Sequence, residues 1–375
     1  MDYSRLVSVY EQLEKTTKRL AFTRIISDFI REIPIEDLDV ALLLLEGRVF
    51  PRWDEREVGM ASRLMLKAIV LASGSSADSI EEQWKKTGDL GTVAQQAIGK
   101  KKQFTLASHT LTVKKVFENL QKIATIEGAG TVDKKLQLVA QLLTSASASE
   151  AKFIVRTILN DLRIGVGEGT LRDAIVWAFF GKELGIEYGE EENKVIIPDR
   201  EKYNEYVQAV QSGYDLTNEF GPVAAAIKKK GLSGLDDIEM KIGVPIKVML
   251  SLKVDSIEEA FERCGKPAEF EFKYDGMRMQ IHRDDDKVFI FTRRLENVTK
   301  QFPEVVSYVK DHILEKKFVI DSESVGYSKQ TGKYLPFQNI SQRIKRKYGI
   351  EEMAQQFPVE VNVFDIINYK GKSIV

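Results

Sequence analysis

The stretch Ala268-Glu269-Phe270-Glu271-Phe272-Lys273-Tyr274-Asp275-Gly276-Met277-Arg278 is where the chain changes character and where its chemistry is most legible. Period-two alternation predicts a strand over 269–274, with Phe270, Phe272 and Tyr274 on one face and Glu271 and Lys273 on the other. Asp275-Gly276 then ends that strand, and a glycine there lets backbone approach a bound phosphate with no Cβ in the way. Lys273 reads as a nucleophile. An amine attacks phosphorus only when unprotonated, which calls for desolvation and nearby cations, and Arg278 is the nearest candidate cation. The plain alternative is a solvated lysine on an edge strand.

Working outward, the residues before this stretch are helical and those after it are strands. Leu6, Val9 and Leu13 open a helix, and Phe153, Ile154, Thr157 and Ile158 mark a later one. Gly47 and Pro51 close one helix, while Gly88-Asp89-Leu90-Gly91 and Glu127-Gly128-Ala129-Gly130 are connectors. Beyond Gly231 and Gly243-Val244-Pro245 come short alternating runs at 279–282, 288–292, 318–321 and 359–364. The expected organisation is a helical domain over 1–235, a linker over 236–248 and a strand-rich α+β domain with antiparallel sheets over 249–375.

Composition sets limits. At 375 residues the chain exceeds one ordinary core. The 56 acids and 55 bases nearly cancel, so any basic footprint is local. One cysteine, Cys264, excludes an internal disulfide and a cysteine-rich metal site, and three scattered histidines (His109, His282, His312) form no zinc or triad constellation. No apolar run suits a bilayer and Met1-Asp2-Tyr3-Ser4-Arg5 has no signal-peptide core, so the expected setting is cytoplasmic, without a membrane partner.

In the helical half, Leu162-Arg163-Ile164-Gly165-Val166-Gly167-Glu168-Gly169-Thr170 leads into a helix over 171–180 that Thr170 is expected to cap, with Asp173 in the capping-box place. Such a start offers N–H groups to a phosphate; a ligand-free turn is the alternative. No Gly-Lys-Ser/Thr follows, so it is not a P-loop. The clusters Lys100-Lys101-Lys102, Lys228-Lys229-Lys230 and Arg343-Ile344-Lys345-Arg346-Lys347 are candidates to follow a phosphate backbone or to be solvated faces. In the strand-rich half, Phe289, Phe291 and Arg293 share a face. Asp321 and Glu323 share another, a spacing suited to a ribose hydroxyl or Mg²⁺ or simply to two solvated acids. Phe364 falls with Glu360 and Asn362, opposite the valines, where an aromatic suits stacking on a purine or joins a core.

On these motifs the chain resembles the ATP-dependent DNA ligases of the archaeal and eukaryotic replicative type, within the covalent nucleotidyltransferase superfamily. Lys273-Tyr274-Asp275-Gly276-Met277-Arg278 matches the family's nucleotidylated-lysine motif, and Thr292-Arg293-Arg294-Leu295-Glu296 the next. Asp321-Ser322-Glu323 and Val363-Phe364-Asp365 match the third motif and the base-stacking motif, with Leu335-Pro336-Phe337-Gln338 and Arg343-Ile344-Lys345-Arg346 between them. Gly47-Arg48-Val49-Phe50-Pro51, Gly88-Asp89-Leu90-Gly91 and the 162–169 run resemble the family's helical DNA-binding domain.

The resemblance implies catalytic Lys273, with Glu271 on the adenine, Arg278 and Arg293 on ribose and phosphate, Glu323 on ribose or metal and Phe364 stacked on the base. It implies ATP and Mg²⁺ as cofactors, nicked duplex DNA as partner, a monomer working at the nucleoid, and DNA contacts through Arg163, Gly165, Gly167, Gly169 and Thr170. Lys102-Gln103-Phe104-Thr105-Leu106 lies where archaeal relatives dock a sliding clamp but lacks the paired aromatics. The family continues with a Glu-Gly motif, a lysine-bearing strand and an OB-fold domain, none of them within these 375 residues, so weak activity is expected of the chain as given. An RNA ligase, a capping guanylyltransferase and a non-catalytic DNA-binding or clamp-docking fragment remain the alternatives.

Overall fold

The computed structural model describes residues 1–100, 110–247, 252–346 and 348–374. Two compact units emerge, one of Met1–Pro51 and Arg56–Ile238, the other of Arg52–Glu55 and Glu239–Val375.

The first unit is helical. Its elements are α1 (Tyr3–Glu14), α2 (Arg19–Glu32), α3 (Leu38–Leu45), α4 (Ser62–Ser73), α5 (Ala77–Thr87), α6 (Leu90–Gly99), α7 (Val113–Thr125), α8 (Thr131–Ser145), α9 (Ala148–Ile158), α10 (Glu168–Phe180), the hairpin β1 (Glu187–Gly189) and β2 (Lys194–Ile196), α11 (Arg200–Thr217) and α12 (Phe220–Lys230). Leu6, Val9 and Leu13 of α1 and Phe153, Ile154 and Ile158 of α9 are buried together in one continuous core, as spacing of three and four requires. Local signals set the boundaries: Ser147 and Glu150 form a capping box at α9, and Gly88 ends α5 in the left-handed region at φ 63°.

One boundary differs from expectation. Thr170 does not cap α10; Gly167 stands at the N-cap with extended backbone, Glu168 and Gly169 enter the first turn, and Thr170 is buried inside it. Asp173 is not in a capping box either, since its carboxylate takes Arg172 at 2.8 Å and Arg19 at 3.4 Å.

The second unit holds α13 (Ile257–Cys264), β3 (Met277–Asp284), β4 (Lys287–Thr292), α14 (Pro303–His312), β5 (Lys317–Tyr327), β6 (Tyr334–Leu335), α15 (Phe337–Ile344), α16 (Ile350–Gln356), β7 (Val359–Tyr369) and β8 (Lys372–Ser373). The antiparallel sheet runs β4-β3-β5-β7-β8, with β6 paired to β5. Its register separates two faces. Met277, Met279, Ile281, Ile290 and Ile320 lie on the face that packs with Val305 and Val309 of α14 and Ile340 of α15. The opposite face carries Arg278, Gln280 and His282 from β3, Asp321 and Glu323 from β5, and Asn362 and Asp365 from β7.

The expected strand over 269–274 is not formed. Those residues have no regular secondary structure, among the described residues no strand pairs with them, and Phe270 and Phe272 are 82% and 87% exposed. Alternation decides which face a side chain takes; it does not supply a hydrogen-bonding neighbour. Asp275-Gly276 therefore leads into β3 instead of ending a strand.

Candidate active site and nucleic-acid interface

Lys273 is exposed, at the rim of a cleft of about 570 Å³. Phe272, Tyr274, Asp275, Val325, Tyr334, Leu335 and Pro336 complete the lining. Among the described residues none buries the amine. Gly276, two residues before Arg278, lies against the Ser324 carbonyl, and a Cβ there would collide with it and sit 3.0 Å from Glu323 Cγ. Its small size is thus used against β5, not only to admit a phosphate as the sequence suggested.

Register places Arg278 opposite Glu323 and Glu323 opposite Asn362, in one row across β3, β5 and β7. Burial pushes the Glu323 carboxyl above the usual carboxylate range, against the pull of Arg278, Lys273 and the Gly276 N–H. Asp321 shares the face of Glu323 as expected, yet both its oxygens are taken: Arg278 donates from Nε to Oδ1 at 3.2 Å and from Nη2 to Oδ2. It is not a free second carboxylate. Among the described residues no group of three His, Cys, Asp or Glu side chains could hold a metal alone.

Phe364 is an extra residue in β7, because Ser322 pairs with Val363 and Asp321 with Asp365. Alternation from Asn362 keeps the ring on the polar face, with Arg278 Cζ 5.6 Å from its centroid, and the bulge puts Asp365 opposite Asp321 on that same face. Arg293 is exposed just past β4, in a turn closed by Thr292 N–H to Glu296 O at 2.9 Å and by Leu295 in the left-handed region at φ 67°. Glu271 is exposed and outside the cleft lining. Sequence reading missed Tyr334, whose hydroxyl donates to Glu360 at 2.7 Å while its ring walls the lysine cleft. It is a solitary aromatic beside Gly332-Lys333, and only the β5–β6 pairing brings it near Lys273.

In the helical unit the three glycine-bearing segments converge. Arg163, at φ 59°, donates through Nη2 to Gly88 O at 3.0 Å and through Nε to Asp161 at 2.9 Å. Gly47 packs on Leu162, leaving a Cβ only 3.2 Å from it. Gly165 and Gly167 have open space where a side chain would project, so their backbone is approachable. Gly169 lies close to Arg19.

Two basic clusters have members that are not free to track phosphates. Lys228 donates to Arg31 O at 2.9 Å and Ile33 O at 2.5 Å, and Lys230 pairs with Asp237 at 2.5 Å. Arg343 is buried, donating to Glu304, Gln301 O and Phe357 O over the Phe302 ring. These three charges have found carbonyls or a carboxylate elsewhere in the fold, whereas Lys229, Lys345 and Arg346 are exposed. Lys101, Lys102 and Lys347, and with them the clamp-docking stretch 102–106, lie outside the described residues.

A helical unit followed in sequence by an antiparallel sheet with this lysine, arginine, carboxylate and aromatic set has the architecture of an incomplete nucleotidyltransferase domain behind a helical domain. The family model "DNA ligase N terminus" matches residues 2–176, and "ATP dependent DNA ligase domain" matches residues 248–375. The chain is similar over its whole length to DNA ligases of Nanoarchaeum equitans (40% identical, 62% of that protein covered), Thermococcus fumicolans (39%, 63%) and Thermococcus onnurineus (40%, 62%). The chain belongs to the ATP-dependent DNA ligase family. It spans about 62% of the length of these relatives.

Proposed function

We propose that the chain performs the nucleotidyl-transfer chemistry of an ATP-dependent DNA ligase. The Lys273 amine attacks the α-phosphorus of ATP, forming a P–N bond as pyrophosphate leaves. The 5′-phosphate of a nick then takes the AMP from lysine, and the 3′-hydroxyl displaces AMP to close the strand. The observation that carries this reading is that Lys273 falls in the matched ligase domain, near enough to Glu323 for its charge to pull on that carboxyl, in the polar row of Arg278, Glu323 and Asn362.

Glu271 is assigned to the adenine, Phe364 to stacking on the base, and Arg278 and Arg293 to ribose and phosphate. Glu323 fits a metal bound jointly with phosphate oxygens and water, since magnesium asks the protein for only one or two carboxylates. Mg²⁺ bound there would supply charge neutralisation on the phosphates. Residues 1–235 are assigned to duplex binding and 249–375 to adenylation, joined by 236–248, of which 240–246 pack on the strand-rich unit. Arg163, Gly165, Gly167 and Gly169 are assigned to DNA-backbone contacts that read no sequence, as sealing arbitrary nicks demands, whereas Thr170, buried with its N–H bonded to the Gly167 carbonyl, has no free N–H to offer. The chain acts as a monomer on chromosomal DNA. Among the described residues no helix is long and apolar enough to cross a membrane.

Intact-mass measurement after incubation with ATP and Mg²⁺ tests this. One added AMP in the wild type, none in Lys273→Ala and none with GTP is expected; an equal adduct in Lys273→Ala refutes the lysine assignment, and a GTP adduct favours capping chemistry. Nicked-duplex binding that survives Lys273→Ala, with no adduct in either protein, favours a binding module.

A further inference from the structure

Two acids of β5 reach the same face, and the fold treats them differently. Glu323 keeps its carboxyl toward Lys273 and the Gly276 N–H. Asp321 is 2% exposed and engages Arg278 through two nitrogens of its fork. Among the described residues Arg278 Nη1 has no such partner, and the guanidinium carbon lies 5.6 Å from the Phe364 ring centroid. The guanidinium is therefore held between a buried carboxylate and the aromatic ring proposed to receive the base.

We infer that Asp321 is a positioning residue that acts through Arg278. By occupying Nε and Nη2 it fixes the plane of the fork and leaves Nη1 as the donor offered to the nucleotide. Rested on the function proposed above, this explains why two acids of one spacing do two jobs: Glu323 remains for ribose or metal, whereas Asp321 is spent on orientation. A flexible arginine would have to be ordered at each nucleotide encounter; one already bonded on two nitrogens does not. Arg278 also stays in place when the nucleotide enters, because withdrawing it would strand a buried carboxylate without its counter-charge. A shared arginine-carboxylate geometry of this kind is specific to a planar fork, so lysine does not reproduce it.

The test uses the whole chain with ¹⁵N-labelled arginine, the Arg278 Nε–H signal being assigned by its loss in Arg278→Lys. In the wild type that signal is slow to exchange with solvent and remains so when ATP is added. In Asp321→Asn the signal exchanges faster and the ATP concentration giving half-maximal rate of lysyl-AMP formation rises about tenfold, with the maximal rate within about twofold. In an Arg278→Lys background, Asp321→Asn adds no further change. An equal Asp321→Asn penalty in both backgrounds overturns the inference, because Asp321 would then act without Arg278. Loss of Nε–H protection on adding ATP to the wild type also overturns it, and that measurement needs no variant to fold. A wild type that takes up no AMP yet shows a protected Nε–H leaves the clamp standing and refutes only the ligase reading.

Discussion

The Gly243 N–H donates to Nδ1 of His282 at 3.0 Å, so this buried imidazole is neutral with its proton on Nε2, which faces Gln280 Oε1 at 2.9 Å. Gln280 Oε1 also accepts from the Ile246 N–H at 2.7 Å. Together they pin residues 240–246 across one end of the polar face, over Val319 and Ile367. A proton added to Nδ1 would confront the Gly243 N–H and break the latch. Burial pushes His282 down to about 3, whereas the unfolded residue titrates near its ordinary value of about 6.5.

Between those values the unfolded chain binds more protons than the folded one, so stability rises with pH across the window. The contribution is complete above about pH 6.5 and is lost as pH falls toward 3, at on the order of 1 kcal/mol per pH unit. His282→Gln should destabilise the strand-rich unit at pH 7 yet flatten this dependence. Urea titrations of both proteins from pH 7 to pH 4 check it, and parallel slopes would place the acid sensitivity elsewhere.

At Gly276 the prediction concerns packing. A Cβ would strike the Ser324 carbonyl and crowd Glu323 Cγ, so Gly276→Ala must push β3 from β5 at the row that carries Arg278 and Glu323. Overpacking of this kind costs about 1–3 kcal/mol. Lysyl-AMP formation should fall more than stability does, because the shift lands on the nucleotide face; calorimetry alongside the adduct rate would show this. Full activity in a normally stable alanine variant would rule it out.

Thr292 supports the turn that presents Arg293. Its hydroxyl accepts from the Arg294 N–H at 3.2 Å and the Glu296 N–H at 3.3 Å and lies 3.3 Å from the Glu296 carboxylate. Thr292→Val keeps the shape and removes these bonds, at a cost of about 1–2 kcal/mol. If Arg293 serves the nucleotide, half-saturation for ATP should rise in this variant, whereas Arg294→Ala should leave it unchanged. Identical ATP dependence in Thr292→Val and wild type would argue against Arg293.

What could be read from the residues follows from which interactions are local. Period two placed Asp321 beside Glu323, and Phe289 beside Phe291, on shared faces, because strand geometry leaves no other arrangement. The same alternation over 269–274 named the faces of Phe270 and Lys273 but carried no information about a pairing neighbour. At Thr170, two residues competed to start α10, and extended backbone at Gly167 decided it. The charges misled where their partners are remote: Lys228 reaches carbonyls of residues 31 and 33, and Arg343 reaches Glu304. Alternation put Phe364 with Asn362, but the bulge that sets Asp365 in its place opposite Asp321 is a single-residue change of register, visible only once β5 and β7 are paired.

Arg156 joins three helices of the other unit, and its loss should show an inverted pH signature. Its guanidinium bonds Asp89 at 2.6 Å and 3.4 Å and also reaches Glu14, which Lys152 holds at 2.7 Å. Asp89 in turn caps α6 through the Gly91 N–H at 2.9 Å and takes the Thr92 hydroxyl at 2.7 Å. Burial alone would raise Asp89, but the bonds and charge of Arg156, with Thr92 and the Gly91 N–H, outweigh it and hold the carboxyl well below the usual range. In the wild type this stability is present above the unfolded carboxylate value of about 3.9 and is lost as pH falls below it. Arg156→Met strands the Asp89 carboxylate, while Glu14 keeps Lys152, and should cost about 3–5 kcal/mol at pH 7. With the bonds and charge of Arg156 gone, burial of Asp89 outweighs the Thr92 and Gly91 bonds that remain and favours its protonated form, so the folded variant binds a proton more readily than its unfolded chain. The deficit relative to wild type should therefore shrink as pH is lowered from 7 toward 4, a trend that paired urea titrations would detect. A deficit constant across that range would mean that Asp89 stays ionised without Arg156, held by Thr92 and the Gly91 N–H alone.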